Sequence, residues 1–325
     1  MALGKEKLRP EVTEQESILN ESEKVVYGAL VPAMEAARIN PENFKSYKTE
    51  MIQRDMEYTA SRVAENARDD NPYKKHAEMA EAIVWHLTNT GQLMGPEAKS
   101  IVPTKYEDLT KGVDSIVRFE KKTGVSHLAL AIDVTESVAE VGKKIEDILG
   151  NIEDGKLTDL EYFESRSSHG VGYQGKLDNL PKVVVASGRK SVGTIAERLA
   201  KLWSLSETAK TDPKTVEEVE KLKRAISKSQ FKFKVLFEIK VQLEKYAEYA
   251  AENGHPEIVG PHKKALTIIS ELLDSDLSPE RQAEVLKTIK EDPAVAAVYK
   301  KLEAGRTKPI VARPATPPKP KERWK

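Results

Sequence analysis

Two short apolar runs, each interrupted by one aspartate, constrain this chain more than any other feature. Gly112-Val113-Asp114-Ser115-Ile116-Val117-Arg118-Phe119-Glu120 and His127-Leu128-Ala129-Leu130-Ala131-Ile132-Asp133-Val134-Thr135 each read as a β-strand. A carboxylate inside a sheet is costly unless it is paired or holds a cation. Two of them on adjacent strands of an otherwise helical chain point to a metal site. Lys121-Lys122-Thr123-Gly124 between them suits a hairpin turn. Alternation puts Asp133 on one face with Ala129, Ala131 and Thr135, and Asp114 on one face with Ile116 and Arg118. If the strands pair antiparallel, the two aspartates are direct or diagonal neighbours.

Composition sets the frame around these strands. At 325 residues, with 32% charged residues and a mean hydropathy of -0.52, the chain suits a helix-rich protein with long exposed faces. Its 52 basic and 52 acidic residues cancel, so attraction to nucleic acid has to come from local patches. The absence of cysteine excludes disulfides, thiolate metal sites and a cysteine nucleophile. No apolar run approaches the ~18 residues that span a bilayer, and Met1-Ala2-Leu3-Gly4-Lys5-Glu6-Lys7 has no apolar signal-peptide centre. The expectation is a cytoplasmic protein without membrane association.

Four regions follow along the chain. Residues 1–74 read as helical, with Asn40-Pro41-Glu42 opening a helix from Pro41 to about Ala67, and a break at Arg68-Asp69-Asp70-Asn71. Residues 75–205 gather the strands in an α/β core. A helix from about Pro72 to Thr90, with Gly91 as its cap, leads into it. The strand at 113–119 follows, then 128–134, a helix striped by Val138, Val141, Ile145, Ile148 and Leu149, a strand at 160–163, a strand at 182–186, and a helix striped by Val192, Ile195, Leu199 and Leu202. Residues 206–305 return to helix: Asp212-Pro213 and Ser278-Pro279-Glu280 are starts, Lys232 to Asn253 is one long helix, and Gly254, Pro256, Gly260 and Pro261 mark a turn region. Residues 306–325 hold five prolines and seven Lys or Arg, and read as a disordered basic tail that suits a proline-recognising protein partner or nonspecific phosphate attraction.

Mg²⁺ takes one or two carboxylates, with water and phosphate oxygens filling the remaining positions. Asp114 and Asp133 supply that number, and the backbone carbonyl of Val134 is a natural further ligand. Here the pattern resembles the PD-(D/E)XK phosphodiesterase superfamily, the restriction-endonuclease-like fold, over roughly residues 75 to 205. That family places an aspartate early in one strand and an acidic-x-Lys motif on the next, followed by a helix, a strand and a helix. Gly112-Val113-Asp114 stands at the first aspartate and Asp133-Val134-Thr135 at acidic-x-Lys. The helix before the sheet, carrying Glu78 and Glu81, matches the family helix that often adds an acidic ligand.

The resemblance implies an α/β (α+β) fold with a mixed-sheet core flanked by helical regions. It also implies a Mg²⁺- or Mn²⁺-dependent nuclease acting on DNA or RNA, with Asp114, Asp133 and Val134 holding the ion and Glu81 as accessory ligand. Thr135 departs from the family by standing where it has its lysine. Some members move that lysine to the following helix, and Lys144 is the residue here that could point back. Without a lysine at the ions the chain would be an inactive relative, a scaffold that binds nucleic acid or protein.

Other features have plainer readings. Asp114 could pair with Arg118, and Asp133 or Thr135 could cap a helix beginning near Glu136. Ser187-Gly188-Arg189-Lys190-Ser191 opens a helix and could meet a phosphate, but lacks the glycine pattern of a P-loop. The six histidines make no zinc spacing. Tyr246 and Tyr249 with Lys232, Lys234, Lys240 and Lys245, interleaved with Glu238, Glu244 and Glu248, read as a mixed solvated helical face.

Overall fold

The computed structural model describes residues 19–66, 74–121, 124–135, 138–166, 172–208 and 212–305; the basic tail, the break at 68–71 and His169 lie outside them. Helix α1 (Glu21–Ala36) begins with a capping box: the Asn20 side chain accepts from the Glu23 N–H, and the Glu23 carboxylate accepts from the Asn20 N–H. The single helix expected from Pro41 does not form. Asn40 caps only a 3₁₀ turn, Pro41–Asn43, and α2 starts afresh at Thr49 and runs to Asn66. The interruption is Phe44. Its ring is fully buried and packs edge-on against Tyr162 at 5.3 Å, a burial that outweighs the few backbone bonds a continuous helix would add. Helix α3 (Lys74–Asn89) follows, and Gly91 (φ +73°) turns the chain out of it.

The mixed α/β core comes next. Strand β1 (Ala98–Ile101) and helix α4 (Lys105–Lys111) precede β2 (Ser115–Lys121) and β3 (Gly124–Thr135). Helix α5 (Val138–Glu153) leads to a hairpin, β4 (Thr158–Arg166) and β5 (Gly172–Leu180), and then to β6 (Lys182–Ala186) and α6 (Arg189–Thr208). The main sheet has the order β1-β2-β3-β6; the first three strands are antiparallel and β6 runs parallel to β3. The β4–β5 hairpin forms a separate two-stranded sheet. Its Leu160, Phe163 and Leu180 cover Ile116, Ala129 and Ala131 on one face of the main sheet, while Val117, Leu130, Ile132 and Val134 face the helices. Burial on both faces explains why β3 reads as a nearly continuous apolar run.

Helices α7 (Pro213–Ser227), α8 (Gln230–Glu252), α9 (Pro256–Asp276), α10 (Pro279–Lys290) and α11 (Pro293–Gly305) complete the described chain. Asp212 and Ser278 cap α7 and α10 as expected. Two expectations are corrected. Gly260 and Pro261 sit inside α9: the carbonyl that Pro261 leaves without its helical donor belongs to exposed Glu257, where water can replace the bond. Helix α8 is no solvated face. Tyr246 is fully buried, and buried Lys232 and Lys234 pair with Asp276 and Asp292, each at 2.7 Å. One apolar cluster joins Ile83 of α3, Ile132 of β3, Leu199 of α6 and Leu236 of α8, so the C-terminal helices close the same core.

Strand β6 is an edge of its sheet, and α8 covers that edge with side chains. The Gln242 Oε1 accepts from the Val184 N–H at 2.8 Å, its Nε2 donates to the Val184 carbonyl at 2.6 Å, and a Glu238 oxygen accepts from the Ala186 N–H at 2.7 Å. Burial, only partly offset by Lys234 and that N–H, pushes the Glu238 carboxyl up to about 8 from an ordinary 4.5. The native protein therefore holds a proton there that the unfolded chain releases above about pH 4.5. This contribution is complete below that pH and is lost as pH rises through about 8. Glu238→Gln keeps the acceptor and removes the titration. In urea melts from pH 5 to 8, its stability relative to wild type should climb by roughly 1 kcal/mol per pH unit; a constant difference would refute the assignment.

Candidate active site

Asp114 does not lie within a strand, contrary to the expected span of 113–119. Gly112, in the left-handed region at φ +58°, caps α4, and the chain joins the sheet only at Ser115. The antiparallel pairing ends at Ser115↔Ile132, and Asp114 lies one residue beyond it, beside the end of β3 that carries Asp133. The Asp114 N–H donates to the Ile132 carbonyl at 2.9 Å, and the Val134 N–H donates to Asp114 Oδ2 at 2.6 Å. Asp133, next to Val184 in the parallel register, is 2% exposed. The Asp133 charge is near enough to act on the Asp114 carboxyl.

Lys144, from the second turn of α5, donates to Asp133 Oδ1 at 2.5 Å. A second lysine, which the sequence reading missed, completes the arrangement. Lys182, the first residue of β6, lies 3.0 Å from Asp133 Oδ2 and donates to the Lys111 carbonyl at 2.7 Å. It thereby ties the loop carrying Asp114 to the strand carrying Asp133. Gly112 leaves room for this: a Cβ there would lie 3.0 Å from both Asp133 Oδ2 and Lys182 Nζ. Thr135, at the family lysine position, donates to Glu140 at 3.2 Å.

The charges here are mutually repelling. Burial first, then the neighbouring charges of Asp133 and Asp108, push the Asp114 carboxyl up to about 8, against the pull of Lys144 and the Val134 N–H. Glu81 of α3 is raised well above the usual carboxylate range by burial and by Asp114 and Asp108. Burial opposes the Lys144 charge, but Asp133 and Asp114 outweigh it and keep the ammonium above its ordinary value. Glu81 therefore feels Asp114, yet among the described residues no three His, Cys, Asp or Glu side chains form a set that could hold a metal ion. Asp114, Asp133 and Glu81 do not make the three-carboxylate set expected.

Asp133, Lys144 and Lys182 line a cleft of ≈ 960 Å³, walled by α2, α5, the α4–β2 loop and the β4–β5 hairpin. The remaining candidates lie elsewhere. The Gly188 carbonyl accepts the Ser191 and Val192 N–H groups as an ordinary helix start, with Asp292 close by, which disfavours a phosphate there. Buried His262 donates through Nδ1 to the Ile258 carbonyl of its own helix, and His255 meets Glu257 and the Glu153 carbonyl. No described helix is long and apolar enough to cross a membrane. No protein-family model, curated protein or solved structure matches the chain.

Proposed function

We propose that this protein is a divalent-metal-dependent phosphodiesterase acting on DNA or RNA, with a restriction-endonuclease-like core spanning α3 to α6. One observation carries the reading: Asp114, held just before β2 by the Val134 N–H, lies beside Asp133 at the end of β3, with Lys144 of the next helix already on Asp133. The strand, helix and parallel strand that follow (β3, α5 and β6) keep the family's order, with the β4–β5 hairpin inserted. The donor set suits the ion in kind. Burial first, and then the charges of Asp133 and Asp108, raise the Asp114 carboxyl to about 8, and a hard dication offsets the cost of ionising it. Two carboxylates are also what Mg²⁺ takes from a protein when phosphate oxygens complete its shell.

Asp114 and Asp133, with the Val134 carbonyl, would hold Mg²⁺ or Mn²⁺, and Glu81 would add negative charge behind Asp114. Bound there, the ion supplies a water of lowered pKa and offsets charge on the phosphodiester. The chain's own part is positional. Lys144 presents an ammonium beside Asp133, where it can hold the attacking water or a phosphate oxygen. Lys182 fixes the Asp114 loop against β3. Thr135 is engaged with Glu140 and leaves the lysine role to the helix.

The second reading is a catalytically silent nucleic-acid- or protein-binding scaffold. Its support is that both Asp133 oxygens already have lysine partners. Cleavage of DNA and RNA with Mg²⁺ or Mn²⁺, against EDTA, separates the two. The phosphodiesterase reading expects cleavage in metal alone, lost in Asp133→Ala. Metal-dependent cleavage that survives the substitution sinks the site assignment, and none with any substrate leaves the scaffold.

A further inference from the structure

The cleft over Asp133 has a shape that selects among nucleic acids. We propose that it takes a single strand, gripped by its phosphates without regard to sequence, and excludes an intact double helix; this rests on the phosphodiesterase reading. Asp133 forms the floor at 2% exposure, so a scissile phosphate has to descend between the walls to reach it. The outer half of α2 is exposed throughout residues 60–66, yet Arg62 and Asn66 on it face the cleft, opposite Asn179 and Asp159 of the hairpin. The open cleft's ≈ 960 Å³ lies at the upper end of the roughly 300–1,000 Å³ range of ligand pockets. A duplex is far broader, its major groove alone being about 12 Å wide, and its phosphates lie on stiff outer rails. A single strand bends and is narrow enough to thread.

The lining says how that strand is held. Among the described lining residues, six cationic side chains (Arg62, Lys111, Lys143, Lys144, Lys156 and Lys182) face five acidic ones, and none is aromatic. Cationic side chains of this kind contact backbone phosphate, which carries no sequence information. The near balance of charge makes binding moderate and strongly dependent on salt. For a single strand, each neutralised phosphate adds about 0.7 to the slope of log K against log salt.

The test uses the full-length chain and fluorescein-labelled DNA and RNA 12-mers, each single-stranded or closed into a blunt hairpin duplex. Anisotropy in CaCl₂ reads binding, and gels in MgCl₂ read cleavage. The single strands should bind at least tenfold more tightly than the hairpins and be cut in preference to them. Arg62→Ala, on the exposed half of α2, and Lys143→Ala, on the exposed side of α5, should each lower the salt slope by about 0.7. Hairpins bound or cut as well as single strands overturn the inference, as do slopes unchanged in both variants. If hairpins are cut in an Asp133-dependent way, only the single-strand claim falls. If nothing is cut, the phosphodiesterase reading falls, and the binding arm decides the cleft on its own.

Discussion

Asp133→Asn should abolish metal-dependent cleavage, by about three orders of magnitude or more, while costing much less stability than Asp133→Ala. A metal's charge stabilisation is worth several kcal/mol of barrier, and each 1.36 kcal/mol is a factor of about ten in rate, so loss of one of two carboxylates should cost at least that much. Asparagine keeps the shape and still offers one oxygen to Lys144 Nζ, which now sits 2.5 Å from Asp133 Oδ1. Alanine offers nothing. It leaves Lys144 and Lys182, 26% and 13% exposed, facing each other without a counter-charge, and removing one partner of a buried pair costs about 3–5 kcal/mol. Partial exposure puts the cost here at or below the lower end of that range. The informative result is the split: equal loss of cleavage in the two variants, with the melting temperature falling several degrees further in the alanine. Retained cleavage in Asp133→Asn would mean the aspartate is only a lysine anchor, and the site assignment would fall.

Much of this site was legible in the sequence because its geometry is local. Antiparallel pairing of β2 with β3 brings the start of one to the end of the other, but counting outward from Lys121↔Gly124 would set Asp114 against Ala131; the irregularity between Phe119 and Lys121 shifts the register by two and moves Asp114 toward Asp133. Lys144 follows from the 3.6-residue stripe of α5, with Val141 and Ile145 buried. The Val183-Val184-Val185 run and the stripe of α6 are equally local, and both elements fall where expected. What escaped depends on partners distant in the chain. Lys182 opens a strand, a position where lysine normally reaches solvent, and only the parallel pairing of β6 with β3 brings it to Asp133. Lys232 and Lys234 look solvated until Asp276 and Asp292 arrive from later helices. Strand β5 is mostly exposed and carries no alternation of apolar residues, so its existence rests on pairing with β4 alone. Phe44 breaks a helix that propensity favours because Tyr162 waits on a distant hairpin.

Gln242 should prove one of the costliest single positions in the protein, although it touches no substrate. Its side chain is fully buried and makes four hydrogen bonds: to the Val184 N–H and carbonyl, to the Glu238 carbonyl at 3.0 Å, and from the Tyr246 hydroxyl at 3.2 Å. It stands in for the neighbouring strand that β6 lacks on its outer edge. Gln242→Leu fits the space but strands the Val184 N–H and carbonyl and the Tyr246 hydroxyl in an apolar interior. At about 1–3 kcal/mol for each buried group left unsatisfied, the loss should approach 4 kcal/mol or more, read as a lower urea midpoint with an unchanged slope. Val184 is the register partner of Asp133, so the same loosening should reach the site: cleavage in Gln242→Leu should fall even where the protein remains folded. A midpoint within about 1 kcal/mol of wild type would show that the edge of β6 does not depend on α8. The Asp133 floor would then have to be held from the β2 side alone, by the bond between Asp114 and the Val134 N–H.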